Sequence, residues 1–322
     1  LMDEVVNHSD IHVKRNAAVD ALIQKMKDAE KRHPQVPKTL NAQLRNYQEV
    51  GFEWMSKLTA WGAGACLADD MGLGKTLQTI TLLLEQAQSG PSLIVVPASL
   101  VPNWRKELSR FAPTLNVFVL NDEVNREQAI EQISRNEVLV TTYALLTIHQ
   151  QQLSQKSWNV VVLDEAHTIK NPNTKMSKAA MTLKAERKVI LTGTPIQNHL
   201  SELWNLFQFI NPGLLGNAEQ FKKKYIIPIE ENKNKERQGQ LKKLISPFLL
   251  RRTKGEVIEE LPEKNDINLP VELSDNELAM YELHRKKAEE LALAEEGVKL
   301  STLSEITTVS YTHLRAHETL RY

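Results

Sequence analysis

Two short stretches of the chain hold the residue types of nucleotide chemistry. The first is Asp69-Asp70-Met71-Gly72-Leu73-Gly74-Lys75-Thr76. Glycines let a backbone wrap closely around an anion, and amides at a helix start point at phosphate oxygens. Lys75 would neutralise β/γ-phosphate charge, and the Thr76 hydroxyl would reach Mg2+. The strict G-x-x-x-x-G-K-[ST] pattern fails at its first position, where Asp69 stands. The second stretch is Val160-Val161-Val162-Leu163-Asp164-Glu165-Ala166-His167, an apolar run ending in two carboxylates and an imidazole. Asp164 is placed to hold Mg2+ through its water shell. Glu165 is placed to polarise an attacking water, a role that suits a carboxylate at neutral pH. Taken singly, the first could be a Gly-rich turn and the second a solvated strand end. Their separation of about 90 residues is common for the two halves of a nucleotide site, and together they read as an NTPase.

Such residues need a scaffold that converges them. From Ala65 to Thr192 the chain alternates between two patterns. Short β-rich runs are Ala65–Ala68, Leu93–Val96, Leu115–Leu120, Val138–Thr141, Trp158–Leu163 and Lys188–Leu191. Helical patterns fall between them at Thr76–Gln88, Val101–Phe111, Asn125–Arg135, Ala144–Leu153 and Lys175–Leu183. Near-continuous apolar strands alternating with helices predict an α/β fold, a parallel sheet covered on both faces. Ligands of such sheets sit outside the carboxyl ends of the strands, where both stretches fall. Helices are also expected at Asp10–Arg32 and Gln43–Trp61. After Asn198 the pattern turns helical, with His199–Ile210, Ala218–Tyr225 and Arg237–Ile245 and no clear strands between them. An extended stretch, Ile267–Leu273, precedes a long charged helix, Ser274–Glu296.

Composition narrows the function classes. In 322 residues, 41% are hydrophobic and 25% charged, which excludes a wholly disordered chain. Lys+Arg and Asp+Glu both number 40, so a globally basic nucleic-acid binder is excluded, though a local basic patch is not. Such a patch runs from Lys222 to Lys254, with eleven Lys and Arg against three Glu. The single cysteine, Cys66, excludes a disulfide framework. No apolar run approaches the ~20 residues that span a bilayer, so no membrane partner is expected. The start, Leu1-Met2-Asp3-Glu4, has no signal-peptide pattern. A cytoplasmic protein is the expectation. The initial Leu suggests a piece of a longer chain.

Read together, these stretches resemble the ATPases of helicase superfamily two, within them the Swi/Snf type of DNA translocase. Asp164-Glu165-Ala166-His167 matches its DEAH box and Asp70–Thr76 its phosphate loop. Leu44-Arg45-Asn46-Tyr47-Gln48 resembles the adenine-reading segment. Val95–Leu100 with Asn103-Trp104 resembles the first DNA-contact motif, and Leu191–Asn198 the coupling motif. Phe248-Leu249-Leu250-Arg251-Arg252-Thr253-Lys254 resembles the Swi/Snf helical insertion. The match covers roughly residues 38–273.

The resemblance implies a RecA-like P-loop fold and the following roles. Gln48 would select adenine, making the nucleotide ATP. Asp70, Met71, Gly72, Leu73, Gly74, Lys75 and Thr76 would bind its phosphates, and Thr76 and Asp164 would hold Mg2+. Glu165, Lys75 and Asp164 would carry hydrolysis. His167, Thr192, Gly193 and Thr194 would couple DNA to the ATP site. Duplex DNA would be met at Pro97, Ala98, Ser99, Thr141, Thr142 and Tyr143, and by Arg251 and Arg252. Phosphate contacts of this kind carry no base information, which suits a motor stepping over any sequence. Candidate targets are RNA polymerase and other DNA-bound protein complexes. If the source is bacterial, as the short connections suggest, the location is the nucleoid.

The expected organisation is a helical extension (1–37), a first RecA-like lobe (38–212), an all-helical insertion (213–273) and a charged helix (274–307). Nothing after Leu273 reads as a second parallel-sheet lobe, so the expectation is a lone first lobe. Val309–Thr319 resembles a translated transposase-type sequencing adapter, and residues 308–322 are expected to be an assembly artefact. His313 and His317 have helical i, i+4 spacing but no further ligand set, so no metal site is read there. Three functions stay open: a duplex-DNA translocase or remodelling ATPase; a strand-separating helicase or restriction-type motor subunit; and a nucleotide-dependent DNA-binding fragment without turnover.

Overall fold

The structure, a computed structural model, describes residues 17–193, 199–257 and 278–286. All six expected strands form: β1 (Ala65–Leu67), β2 (Ser92–Val96), β3 (Asn116–Val119), β4 (Glu137–Thr142), β5 (Ser157–Leu163) and β6 (Lys184–Leu191). They pair in parallel in the order β3-β4-β2-β5-β6-β1, and a seventh strand, β7 (Leu249–Leu250), adds beyond β1. Successive residues of a strand point to opposite faces. Cys66, Leu93, Val95, Leu139, Val161, Leu163 and Ile190 therefore enter one core. Ala65, Leu67, Ile94, Val96, Val138, Val140, Val160, Val162, Val189 and Leu191 enter another. Two dry faces explain why the central strands read as unbroken apolar runs. Each valine, leucine or isoleucine removed from water contributes about 1.5–3 kcal/mol.

The helices cover these faces. Val101–Phe111 forms with the expected bounds, with Pro102 in its first turn and Trp104 and Leu108 buried one turn apart. The phosphate-loop helix, Lys75–Gln86, buries Ile80, Leu82, Leu83 and Leu84. Leu200–Ile210 buries Leu203, Leu206, Phe207, Phe209 and Ile210 against the other face. Helices Ala17–Glu30 and Asn46–Ala60 lie within the two expected N-terminal helical stretches.

Several elements differ from expectation. Ala144–Leu153 is two helices, Tyr143–Ile148 and Gln150–Gln155, broken at His149, whose ψ of 29° leaves the helical range. After the short helix Ala218–Phe221, Lys222–Glu231 winds as a π-helix around Pro228, which has no N–H to donate. The insertion is not all-helical, because Leu249–Leu250 joins the main sheet. The chain divides into two compact units, Leu1–Leu261 and Pro262–Tyr322. In the second, residues 278–286 are helical and Arg285 pairs with Glu282 at 3.1 Å. The expected stretch Ile267–Leu273 and residues 308–322 lie outside the described residues. Among the described residues no helix is long and apolar enough to cross a membrane.

Candidate nucleotide-binding site

The sheet order decides what can meet. β5, β6 and β1 are neighbours, so their carboxyl ends lie side by side. The phosphate loop leaves β1, Asp164 and Glu165 leave β5, and Thr192 and Gly193 leave β6. The two halves of the site thus converge although β6 stands between their strands.

The loop turns tightly into its helix. Gly72 has φ 88° and Gly74 φ 76°, conformations that a side chain disfavours. A Cβ on Gly74 would also lie 2.4 Å from Gln48 Nε2. Lys75 Nζ donates to the carbonyls of Asp69 at 2.6 Å and Asp70 at 3.3 Å, holding the cation inside the loop. Thr76 is half-buried in the helix's first turn, and Met71 and Leu73 differ sharply, 78% exposed against wholly buried. Gln48 is buried; its Oε1 accepts from the Arg45 N–H at 3.0 Å and its Nε2 donates to the Leu73 carbonyl at 3.2 Å. The expected adenine reader is therefore fixed against the phosphate loop.

At the acidic end, Asp164 Oδ2 accepts from Trp104 Nε1 at 2.8 Å and Oδ1 from the Glu165 N–H at 2.8 Å. Burial raises the Asp164 carboxyl above its ordinary range. Those two hydrogen bonds and the Lys75 charge pull it back, while the Glu165 charge pushes it up. Glu165 has φ 47°, a left-handed conformation that costs a non-glycine residue about 1–3 kcal/mol. That bend swings its carboxylate to His167, whose Nδ1 lies 3.1 Å from Glu165 Oε2. Thr192 is buried and its N–H donates to the Leu67 carbonyl at 3.2 Å, tying β6 to β1 beside the loop. Gly193 follows it half-buried, and Thr194 lies outside the described residues.

The expected DNA contacts do not all reach the surface. Ala98 and Ser99 are exposed and Pro97 half-buried, at the end of β2. Thr141 is buried, and the Thr142 hydroxyl caps the next helix by accepting from the Leu145 N–H. Tyr143 is buried, its hydroxyl donating to the Asp164 carbonyl at 2.8 Å. Burial, then the charges of Asp164 and Glu165, hold its phenol protonated. Thr141 is buried because the sheet is covered on both faces, and within this stretch it is the Tyr143 hydroxyl that supports Asp164. Arg251 is exposed, whereas Arg252 is committed to the buried Asp69 and is not presented to a duplex. Trp104, expected only as part of the first DNA-contact motif, instead supports the acidic strand end through its indole N–H.

Among the described residues no group of three or more metal-binding side chains gathers. The donor set fits Mg2+ held with phosphate and water instead: one carboxylate, one hydroxyl and free lone pairs on the Asp164 oxygens.

The family model of the SNF2-related domain matches residues 47–318. A Bacillus subtilis protein, YwqA, whose name describes an ATP-dependent helicase/translocase, is 42% identical over 272 residues. The match covers 81% of this chain and 29% of that protein. The Saccharomyces cerevisiae TATA-binding protein-associated factor MOT1 is 35% identical over 293 residues, covering 82% of this chain and 16% of that one. The chain thus spans less than a third of the length of these relatives. The solved Sulfolobus solfataricus SWI2/SNF2 ATPase core in complex with dsDNA superposes with a TM-score of 0.63 at 39% identity. That match covers 86% of this chain and 60% of the Sulfolobus chain. The family match runs through the phosphate loop, the acidic strand end and the added strand alike, and the chain belongs to the SNF2-related family.

Proposed function

We propose that the chain binds ATP with Mg2+ at the carboxyl ends of β1, β6 and β5, and is the ATP-hydrolysing first lobe of a duplex-DNA translocase. One observation carries this reading: the sheet order sets the Lys75 loop beside Asp164 and Glu165. Lys75 would exchange the Asp69 and Asp70 carbonyls for phosphate oxygens, and the loop amides would hold the rest of the anion. Mg2+ would supply charge neutralisation of the phosphates. Asp164 and Thr76 would hold it, with Trp104 fixing the carboxylate. Glu165 would orient the attacking water and take its proton, with His167 reporting on the DNA side. The solved relative in complex with dsDNA supports duplex DNA as the track. The MOT1 name supports a DNA-bound protein complex as the target, with RNA polymerase a further candidate. A nucleoid or cytoplasmic location follows from that reading.

The test is binding of a fluorescent ATP analogue to the chain with Mg2+ present. We expect saturable binding, abolished in Lys75→Ala. Equal binding by that variant would overturn the site. A tailed-duplex unwinding assay on the full-length protein separates the translocase from the strand-separating helicase; strand release would favour the latter.

A further inference from the structure

Asp69 occupies the position of the first glycine in strict phosphate loops, and it is wholly buried. A buried carboxylate is strongly unfavourable unless it is paired and hydrogen-bonded. Its partner lies 183 residues further along the chain. Arg252 Nε donates to Asp69 Oδ1 at 3.0 Å, the Arg252 N–H donates to the same oxygen at 3.1 Å, and Nη2 donates to Oδ2. The fork has two further acceptors. Nη1 donates to the Tyr47 carbonyl, and Nη2 to Gln78 Oε1 at 2.9 Å. The guanidinium also lies over the Tyr47 ring, 5.4 Å from its centroid.

One side chain therefore joins three parts of the nucleotide site. Tyr47 precedes Gln48, Asp69 roots the phosphate loop, and Gln78 sits in the loop's helix, its Nε2 returning to the Leu73 carbonyl at 3.3 Å. The backbone repeats the connection. The Ala68 N–H donates to the Leu250 carbonyl at 2.7 Å and the Asp70 N–H to the Arg252 carbonyl at 3.0 Å. The Lys254 N–H donates to Asp70 Oδ2 at 3.2 Å. β7 and the residues after it are laid along the strand and loop that would hold phosphate.

We propose that Arg252 is a positioning residue of the nucleotide site, and that ATP binding and the seating of Leu249–Lys254 are one coupled equilibrium. The inference rests on the ATP reading above and extends it to a segment remote in sequence from the phosphate loop. The coupling runs through the Arg252 fork and the backbone bonds beside it. Linkage makes it reciprocal: whatever unseats β7 weakens ATP, and ATP seats β7 by the same factor.

The test compares the chain with Arg252→Gln and Arg252→Lys, at a temperature where circular dichroism shows each folded. Arg252→Gln should bind the fluorescent ATP analogue about tenfold or more weakly, the scale of a lost charge-assisted hydrogen bond. Arg252→Lys should fall between, since it keeps the charge and loses the fork. In the parent chain, ATP should slow hydrogen exchange at the Ala68 and Asp70 amides, which bond to Leu250 and Arg252, and should not in Lys75→Ala. A folded Arg252→Gln with unchanged affinity overturns the proposal. If that variant does not fold, unchanged affinity in Arg252→Lys overturns it equally. A parent chain that binds no ATP, or binds it as well after Lys75→Ala, overturns instead the reading on which the proposal rests.

Discussion

Glu165 is held in a left-handed conformation between Asp164, whose carboxylate accepts its N–H, and His167, which meets its carboxylate. Its carbonyl also accepts from the Thr168 hydroxyl at 2.9 Å. The backbone is thus fixed independently of the side chain's acid function. Glu165→Gln should keep the fold and ATP binding while hydrolysis falls by about 10²–10⁴-fold, the range of a lost general base. Single-turnover hydrolysis in the full-length protein measures this, and parental turnover would remove Glu165 from its role. Cys66 shows the opposite environment. Burial in the sheet's core pushes its thiol from 9.0 up to about 12. The folded state therefore prefers the neutral thiol. The stability this contributes is complete below pH 9.0 and is lost as pH rises toward about 12. At pH 8 a thiol-specific disulfide reagent should react with Cys66 only as fast as the chain opens. Complete reaction within the mixing time, with the chain folded, would contradict this.

At the scale of elements, the helix Val101–Phe111 connects the exposed turn at Ala98 and Ser99 to the acidic strand end through one bond, Trp104 to Asp164. Trp104→Phe keeps a buried ring and removes the donor. The Mg2+ concentration that half-saturates nucleotide binding should rise about 10–100-fold, as for other groups that orient a metal ligand. The melting temperature should fall as well, since the buried ring shrinks and Asp164 Oδ2 loses its donor. A Mg2+ titration of the fluorescent-nucleotide signal checks this, and an unchanged midpoint would assign Trp104 to packing alone. This bond also marks where the sequence stops being legible. The six main strands show in it because burial on both faces makes them apolar runs. The first half of β6, Lys184-Ala185-Glu186-Arg187, is half-exposed and polar, so only its end stands out. β7 has two residues, too few for any periodicity. In the site, residue types and spacing name Lys75, Asp164 and Glu165 from local sequence. Trp104 and Arg252 act on partners 60 and 183 residues away, and no local pattern encodes such a pairing. The resemblance implied Thr141 and Tyr143 as DNA contacts, yet the helices covering the sheet bury Thr141 and the Asp164 carbonyl takes the Tyr143 hydroxyl.

For the whole molecule, charge decides how a chain of zero formal net charge would hold the proposed duplex. Lys222, Lys223, Lys224, Lys242 and Lys243 are exposed on the insertion, and the sheet's expected contact turn, Ala98-Ser99, is uncharged. Affinity for duplex DNA should therefore come from the insertion's lysines and geometry from the turn. Binding should be independent of base sequence, and its logarithm should fall linearly with the logarithm of salt. Each lysine that meets a phosphate contributes a slope of about 0.9, so Lys223→Ala should lower the slope by about one and weaken all duplexes alike. Turnover is a separate matter. The described residues form one parallel sheet, and phosphoryl transfer in this mechanistic class gains about 10³–10⁵ from an arginine supplied across the site. The chain alone should bind ATP and duplex yet hydrolyse ATP slowly, with duplex stimulating strongly only in the full-length protein. Steady-state ATPase assays of both, with and without duplex, decide it. Strong duplex-stimulated turnover by the chain alone, at a rate independent of protein concentration, would show that its own residues complete the site. A rate per molecule that rises with concentration would show a second copy supplying the arginine.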